Sequence, residues 1–90
     1  MRLLDFTASW CKPCTSQKSI VDSWSKVHPE VKVEVISVED PNGAAIAAQF
    51  MVQSMPTLAF LSDSGQPLAV QPGLHDARRL DALYEQAKRR

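Results

Sequence analysis

The chain has 90 residues, enough for one small hydrophobic core, and residues 1–90 are expected to form a single domain. Its ten basic and ten acidic side chains cancel and its aromatic residues are few, which argues against nucleic acid as a partner. Apolar residues make up 44% of the sequence without any run of membrane-spanning length, so neither a disordered chain nor a membrane protein is expected.

The cellular location is predicted from the N-terminus and from the cysteines. Residues 1–10 lack the apolar run and the small-residue cleavage site of a secretion signal. Two cysteines spaced Cys-x-x-Cys are not the cysteine-rich pattern of a small secreted scaffold. The sequence therefore indicates a cytoplasmic protein with no membrane partner.

A strand and a helix are predicted first. Residues 3–6 form a short apolar run of the length expected for a buried strand, although Asp5 interrupts it. Pro13 then opens a helix, because its missing N–H and its fixed φ suit a first turn, and Pro29 ends this helix. One face of the helix is expected to pack through the apolar residues Ile20, Val21, Trp24 and Val27.

The next two elements are a strand and a short helix. Residues 31–35 alternate between valine and charged side chains, which predicts a strand, and residues 36–38 are expected to continue it as a more buried segment. Residues 40–43 form a turn that starts an alanine-rich helix over residues 44–50.

A hairpin and a helix complete the chain. Residues 57–61 and 67–70 are apolar and flank a polar turn, and Pro67 places the last strand at a sheet edge because proline cannot donate a backbone hydrogen bond. The final helix is predicted from apolar residues at helical spacing, namely Leu80, Leu83, Tyr84 and Ala87.

The order of these elements predicts the fold class. A helical crossover makes the first two strands parallel, and a tight turn makes the last two antiparallel. The expected architecture is α/β, with a mixed four-stranded sheet built from a βαβ unit followed by a ββα unit and with helices on both faces.

Cys11 and Cys14 admit two interpretations without redox chemistry. A structural disulfide across so short a loop would remove only roughly 2 kcal/mol of chain entropy from the unfolded state, so it would be a weak crosslink. Half of a zinc site is the other interpretation, but His28 and His75 lie far apart and lack the spacing of a zinc-binding pair.

A redox pair explains the neighbouring residues as well. Pro13 places Cys11 at the start of a helix, where free N–H groups and the helix dipole stabilise a thiolate, and Lys12 adds a positive charge. Residues three apart on a helix have Cα atoms roughly 5 Å apart, so a disulfide to Cys14 is feasible.

Residues 5–14, with the sequence DFTASWCKPC, resemble the active-site segment of the thioredoxin family, in which an acid on the central strand precedes Trp-Cys-Gly-Pro-Cys. Residues 55–57, Met-Pro-Thr, resemble the cis-proline segment of the family, and Gly73 falls at the expected distance beyond it. The likeness covers essentially the whole chain. It implies a minimal thioredoxin fold, shared with glutaredoxins and compact redoxins, without the family's first strand and first helix.

The resemblance also implies roles for individual residues. Cys11 resembles the accessible attacking cysteine, Cys14 the buried resolving cysteine, and Asp5 the buried acid that accepts a proton during resolution. Burial without a full partner is expected to raise the pKa of Asp5. The peptide bond before Pro56 is expected to be cis, and the substrate-binding rim to consist of Trp10, Lys12, Pro13, Met55, Pro56, Gly73 and Leu74.

Three residues depart from the family pattern. Lys12 replaces the usual glycine, Thr7 stands where an aromatic residue is common, and Val35 occupies the place of a lysine that often pairs with the buried acid. With valine at position 35, Asp5 lacks the positively charged partner that the buried acid often has in the family.

The resemblance implies a monomeric protein-disulfide reductase that holds no metal or bound cofactor besides its redox-active disulfide. Its electrons would come from NADPH through a flavoprotein of the thioredoxin reductase type, and its substrates would be disulfide-containing proteins such as ribonucleotide reductase. Two alternatives remain: a glutaredoxin-like reductase that depends on glutathione, and a thioredoxin-like binding subunit without redox turnover.

Overall fold

A computed structural model describes all 90 residues. In chain order the elements are strand β1 (Arg2–Thr7), helix α1 (Lys12–Lys26), strand β2 (Lys32–Ser37), helix α2 (Pro41–Gln49), strand β3 (Thr57–Leu61), strand β4 (Pro67–Pro72) and helix α3 (Ala77–Lys88). The predicted order and type of these elements are confirmed, and so is the α/β fold class. None of the helices is long and apolar enough to cross a membrane.

The four strands form one mixed sheet in the order β2-β1-β3-β4. Strand β1 runs parallel to β2 and antiparallel to β3, and β3 runs antiparallel to β4. The two central strands are almost completely buried because helices cover the sheet on both faces. Strand β4 lies at an edge as predicted, and β2 forms the opposite edge.

Two hydrophobic cores lie on opposite faces of the sheet. The larger core joins Leu3 of β1 to residues of α1 and α3, and the smaller one joins Leu4 and Phe6 of β1 to α2. Side chains alternate between faces along a strand, so Asp5 lies on the same face as Leu3, beneath α1. This register brings a carboxylic acid under the helix that carries the cysteines.

Two of the predicted burial assignments are wrong. Val27 is the C-cap of α1 and is 73% exposed, because the helix ends before this residue can pack against the sheet. Residues 36–38 are half-buried instead of forming a more buried segment. As an edge strand, β2 has a neighbouring strand on one side only, and its side chains are correspondingly less covered.

Candidate active site

The two cysteines form a disulfide at the N-terminus of α1, with their Cα atoms 5.4 Å apart. Cys11 is the N-cap residue, and its Sγ accepts a hydrogen bond of 3.2 Å from the backbone N–H of Cys14. Pro13 lies in the first helical turn, where an N–H would have no helical partner. The predicted position of Cys11 at the start of a helix is confirmed.

Both cysteines are nearly buried in this oxidised state. Cys11 is 5% exposed and Cys14 is 3% exposed, and together with Ala8 they form a small cluster against which Val38 and Met55 pack. Cys14 is buried as expected, whereas the disulfide form shows no difference in exposure between the two cysteines. Apolar neighbours enclose the sulfurs of both residues.

Asp5 is fully buried, and neither oxygen of its carboxyl group has a hydrogen-bond partner. The pKa of Asp5 is raised to about 7: burial contributes most, the negative charge of Asp22 adds to the rise, and the positive charge of Lys18 opposes it. The residue opposite Asp5 on β2 is Val35, so no cation faces the acid from that strand. The expected burial and raised pKa of this residue are confirmed.

The rim around the disulfide consists of segments from three loops. The peptide bond between Met55 and Pro56 is cis, as expected. The backbone of Met55 makes no hydrogen bond to another backbone group, whereas the carbonyl of Pro56 accepts a hydrogen bond of 2.9 Å from the N–H of Gly73. Trp10, which precedes Cys11 in the chain, is 68% exposed, and Leu74, which follows Gly73, is 40% exposed.

Two further residues of the predicted rim, Lys12 and Pro13, are also exposed. These two residues separate Cys11 from Cys14 in the sequence. Lys12 therefore presents a positive charge, and Pro13 a rigid ring, to solvent. The other predicted rim residues lie on loops: Trp10 before α1, Met55 and Pro56 between α2 and β3, and Gly73 and Leu74 between β4 and α3. Pro56 is buried, and the part of all these residues in binding rests on the resemblance.

Two hydrogen-bonded ties beside the site were not predicted. The N–H and hydroxyl of Ser9 donate to the two carboxylate oxygens of Glu39, each over 2.8 Å. These bonds lower the pKa of Glu39. Gln17 on α1 donates to the carbonyl of His75 over 3.0 Å and accepts from its N–H over 2.7 Å. The one local signal for the second tie is a polar residue on the otherwise apolar buried face of α1.

The histidines considered as zinc ligands have other partners. The ring of His28 stacks on Trp24, with centroids 3.9 Å apart, and Nδ1 of His75 lies 2.8 Å from the carbonyl oxygen of Gly73. No group of three or more histidine, cysteine, aspartate or glutamate side chains is arranged to hold a metal ion.

Comparison with known proteins places these features in a family. A family model described as Thioredoxin matches residues 1–88. A thioredoxin-like protein of Synechocystis is 35% identical over 78 residues, which are 87% of this chain and 72% of that protein. The thioredoxin of Haemophilus influenzae is 38% identical over 73 residues, which are 79% of this chain and 64% of that protein. The chain therefore spans about two thirds of the length of these relatives.

Solved structures agree with this assignment. A mutant thioredoxin from Halobacterium salinarum superposes with a TM-score of 0.81 at 29% identity, covering 96% of this chain and 74% of the other. The thioredoxin of Fasciola hepatica gives a TM-score of 0.80 at 28% identity, covering 94% and 79%. The fold, the cysteine pair and these similarities support thiol–disulfide oxidoreductase chemistry. The chain belongs to the thioredoxin family.

Proposed function

We propose that the protein reduces protein disulfides by dithiol–disulfide exchange, with Cys11 as the attacking and Cys14 as the resolving cysteine. The observation that carries this proposal is the position of the Cys11 sulfur, which caps α1 and accepts the N–H of Cys14. In the reduced protein the same donor and the helix dipole would stabilise a thiolate at Cys11, and the thiolate is the reactive form of a thiol.

The first step transfers the substrate to the enzyme. The Cys11 thiolate attacks one sulfur of the substrate disulfide, a mixed disulfide forms, and the other substrate sulfur leaves as a thiolate. Lys12 is exposed next to the attacking sulfur and adds a positive charge that favours the thiolate.

The second step releases the substrate. The Cys14 thiol loses its proton and attacks the sulfur of Cys11, which forms the Cys11–Cys14 disulfide and frees the second substrate sulfur as a thiolate. Two electrons pass from the enzyme to the substrate. We assign the proton acceptor to Asp5, because it is buried under α1 with a pKa raised to about 7, which suits a base near neutral pH.

Substrate binding is assigned to the predicted rim around the disulfide. The free backbone groups of Met55 can pair with an extended substrate segment in the manner of an added strand. The remaining members of the predicted rim, which supply apolar or charged contacts, are Trp10, Lys12, Pro13, Pro56, Gly73 and Leu74.

The electron donor and the location complete the proposal. NADPH would reduce the disulfide through a flavoprotein of the thioredoxin reductase type, and the protein would act as a cytoplasmic monomer on disulfide-containing proteins. Its membership of the thioredoxin family favours this donor over glutathione.

Turnover with a disulfide-bonded test protein distinguishes the alternatives. We expect reduction when NADPH and a thioredoxin reductase are supplied, and none when NADPH, glutathione reductase and glutathione are supplied. Turnover with glutathione alone would replace the proposed reductase with a glutaredoxin-like one. A biological role that survives conversion of both cysteines to serine would show that the chain acts as a binding subunit.

The roles of the two cysteines can be separated by single substitutions. In Cys14→Ser the mixed disulfide cannot be resolved, so we expect substrate adducts to accumulate on Cys11. The matched variant Cys11→Ser should form few adducts, because it lacks the sulfur that caps α1 and accepts the N–H of Cys14. Mass spectrometry of alkylated protein measures both, and equal adduct yields in the two variants would contradict the assignment.

A further inference from the structure

Gln17 is an unusual residue for its position on α1. The buried face of this helix consists of Cys14, Gln17, Val21 and Trp24, and Gln17 is fully buried among them. A carboxamide without partners loses its hydrogen bonds to water on burial, which is costly. Gln17 avoids this cost by pairing both ends of its side chain with a single residue, His75.

The segment that Gln17 holds, residues 73–75, connects β4 to α3 and will be called the 73–75 loop. Gly73 adopts a φ of 97° and donates its N–H to Pro56, while the carbonyl of Leu74 accepts a hydrogen bond from Arg79. Each of these bonds ties the loop to the proline segment or to α3. The bonds from Gln17 are the ones that tie it to the helix of the cysteines.

We propose that Gln17 is a positioning residue for protein substrates, an inference that rests on the proposed disulfide reductase function. Its carboxamide fixes the 73–75 loop relative to α1, so that Leu74 and Met55 present one continuous edge for the substrate beside the disulfide. Gln17 itself touches neither the sulfurs nor the substrate in this proposal.

The geometry supports this role in three respects. Gln17 follows Cys14 by three residues on one helix, about 4.5 Å along its axis. The side chain that holds the loop is therefore at a fixed distance from the resolving cysteine. The two hydrogen bonds to His75 fix both the distance and the orientation of the peptide that follows Leu74. The bond between Gly73 and Pro56 then transmits that position to the segment of Met55.

The N–H of Leu74 has no partner within the chain, and its side chain is 40% exposed. The backbone of Met55 is likewise free of backbone partners. These free groups flank the bond between Gly73 and Pro56. An extended peptide could therefore pair with the backbone of Met55 and with the N–H of Leu74 at the same time. This requires the 73–75 loop to keep a fixed position relative to Met55.

Gln17→Met tests the proposal in the full chain, because methionine keeps the length of the side chain and removes both hydrogen bonds. Val21→Ala is the matched control, since it also perturbs the buried face of α1 but does not touch His75. Gln17→Glu is the second variant. It retains an acceptor for the His75 N–H, but its second carboxylate oxygen would face the carbonyl oxygen of His75 in a buried site, so it should displace the loop at least as much as Gln17→Met.

The position of the loop is measured by amide hydrogen exchange in the oxidised proteins. In Gln17→Met we expect exchange at His75 to accelerate about 10-fold or more relative to the amides of β3, because a buried donor has lost its acceptor. In Val21→Ala the ratio of the two rates should stay at the wild-type value. An unchanged ratio in Gln17→Met would overturn the proposal.

Function is measured in single turnovers of the reduced proteins with a disulfide-bonded test protein and with the small disulfide cystamine. For Gln17→Met the half-saturating concentration of the protein substrate should rise about 3- to 10-fold with little change in the limiting rate, because the loop is correctly placed for only part of the time. The rate with cystamine and the reduction potential of the pair should not change. Val21→Ala should match wild type in all three.

The outcomes separate this role from the proposed function. An unchanged half-saturating concentration in Gln17→Met would overturn the positioning role, and so would an equal loss with cystamine, which would place the effect at the cysteines. If Gln17→Met does not fold, the same two criteria apply to Gln17→Glu. Failure of the wild type to reduce either substrate would instead overturn the proposed function, and the positioning role with it.

Discussion

Asp5→Asn is expected to stabilise the protein at neutral and alkaline pH. Burial raises the pKa of Asp5 from 3.8 to about 7, so the folded protein holds a proton that the unfolded chain has already lost between these pH values. Stability therefore falls as pH rises through this window, by about 4 kcal/mol in total, which is the free energy that corresponds to the difference in pKa. Asparagine has nearly the same shape and carries no charge, so it removes this loss.

The assay is urea-induced unfolding of the oxidised protein at intervals between pH 3 and pH 9, with the free energy of unfolding of the variant compared with that of wild type. The difference should be small at pH 3, where Asp5 is neutral in both states, and should grow with pH and level off above about pH 7. Using the oxidised form keeps the titration of the cysteines out of the comparison.

Asp40→Asn provides the matched control, because Asp40 is exposed and its side chain makes no capping hydrogen bond. The same chemical change there leaves solvation almost unaltered, so its effect on stability should depend little on pH. A difference between Asp5→Asn and wild type that stays constant from pH 3 to pH 9, or one that shrinks as pH rises, would refute the reasoning about burial.

Two other substitutions test neighbouring features. Asp22→Asn should lower the pKa of Asp5, because the negative charge of Asp22 raises it, and this decrease should be smaller in high salt. NMR titration of the Asp5 carboxyl group measures the change, and a higher pKa in the variant would contradict the prediction. Met51 follows α2 with a φ of 57° and is 83% exposed, so Met51→Gly should raise the free energy of unfolding by about 1 kcal/mol in a denaturation experiment. Met51→Ala keeps the Cβ and should give no such gain.

The elements of the fold could be predicted because their signals are local. Alternating valines mark β2, and apolar residues at helical spacing mark α3. The position of Cys11 at a helix start followed from Pro13, two residues further on. The cis bond before Pro56 came from family resemblance, since the sequence by itself favours a trans bond at any proline.

The ties around the site could not be predicted, because they join residues far apart in the chain. Gln17 and His75 are separated by 58 positions, and Ser9 and Glu39 by 30, so neither pair leaves a periodic pattern in the sequence. The close approach of α2 to β2 is a similar case. A Cβ at Gly43 would overlap the carbonyl of Ser37, but the sequence marked this glycine only as part of a turn.

Burial of the ionised Asp5 carboxyl group lowers the free energy of unfolding, and the size of this loss argues against a purely structural role for the residue. A domain of this size has a total free energy of unfolding of about 5–15 kcal/mol, so a buried carboxylate that costs about 4 kcal/mol at high pH uses much of that stability. No hydrogen bond compensates for the charge, since both oxygens lack partners and Val35 lies opposite, and Lys18 offsets it only in part. An apolar residue would serve packing better on this face of β1, which Leu3 shares. The proton-acceptor role proposed for Asp5 would explain why a carboxyl group is kept here. It requires that Asp5→Asn gain stability while resolution of the mixed disulfide slows.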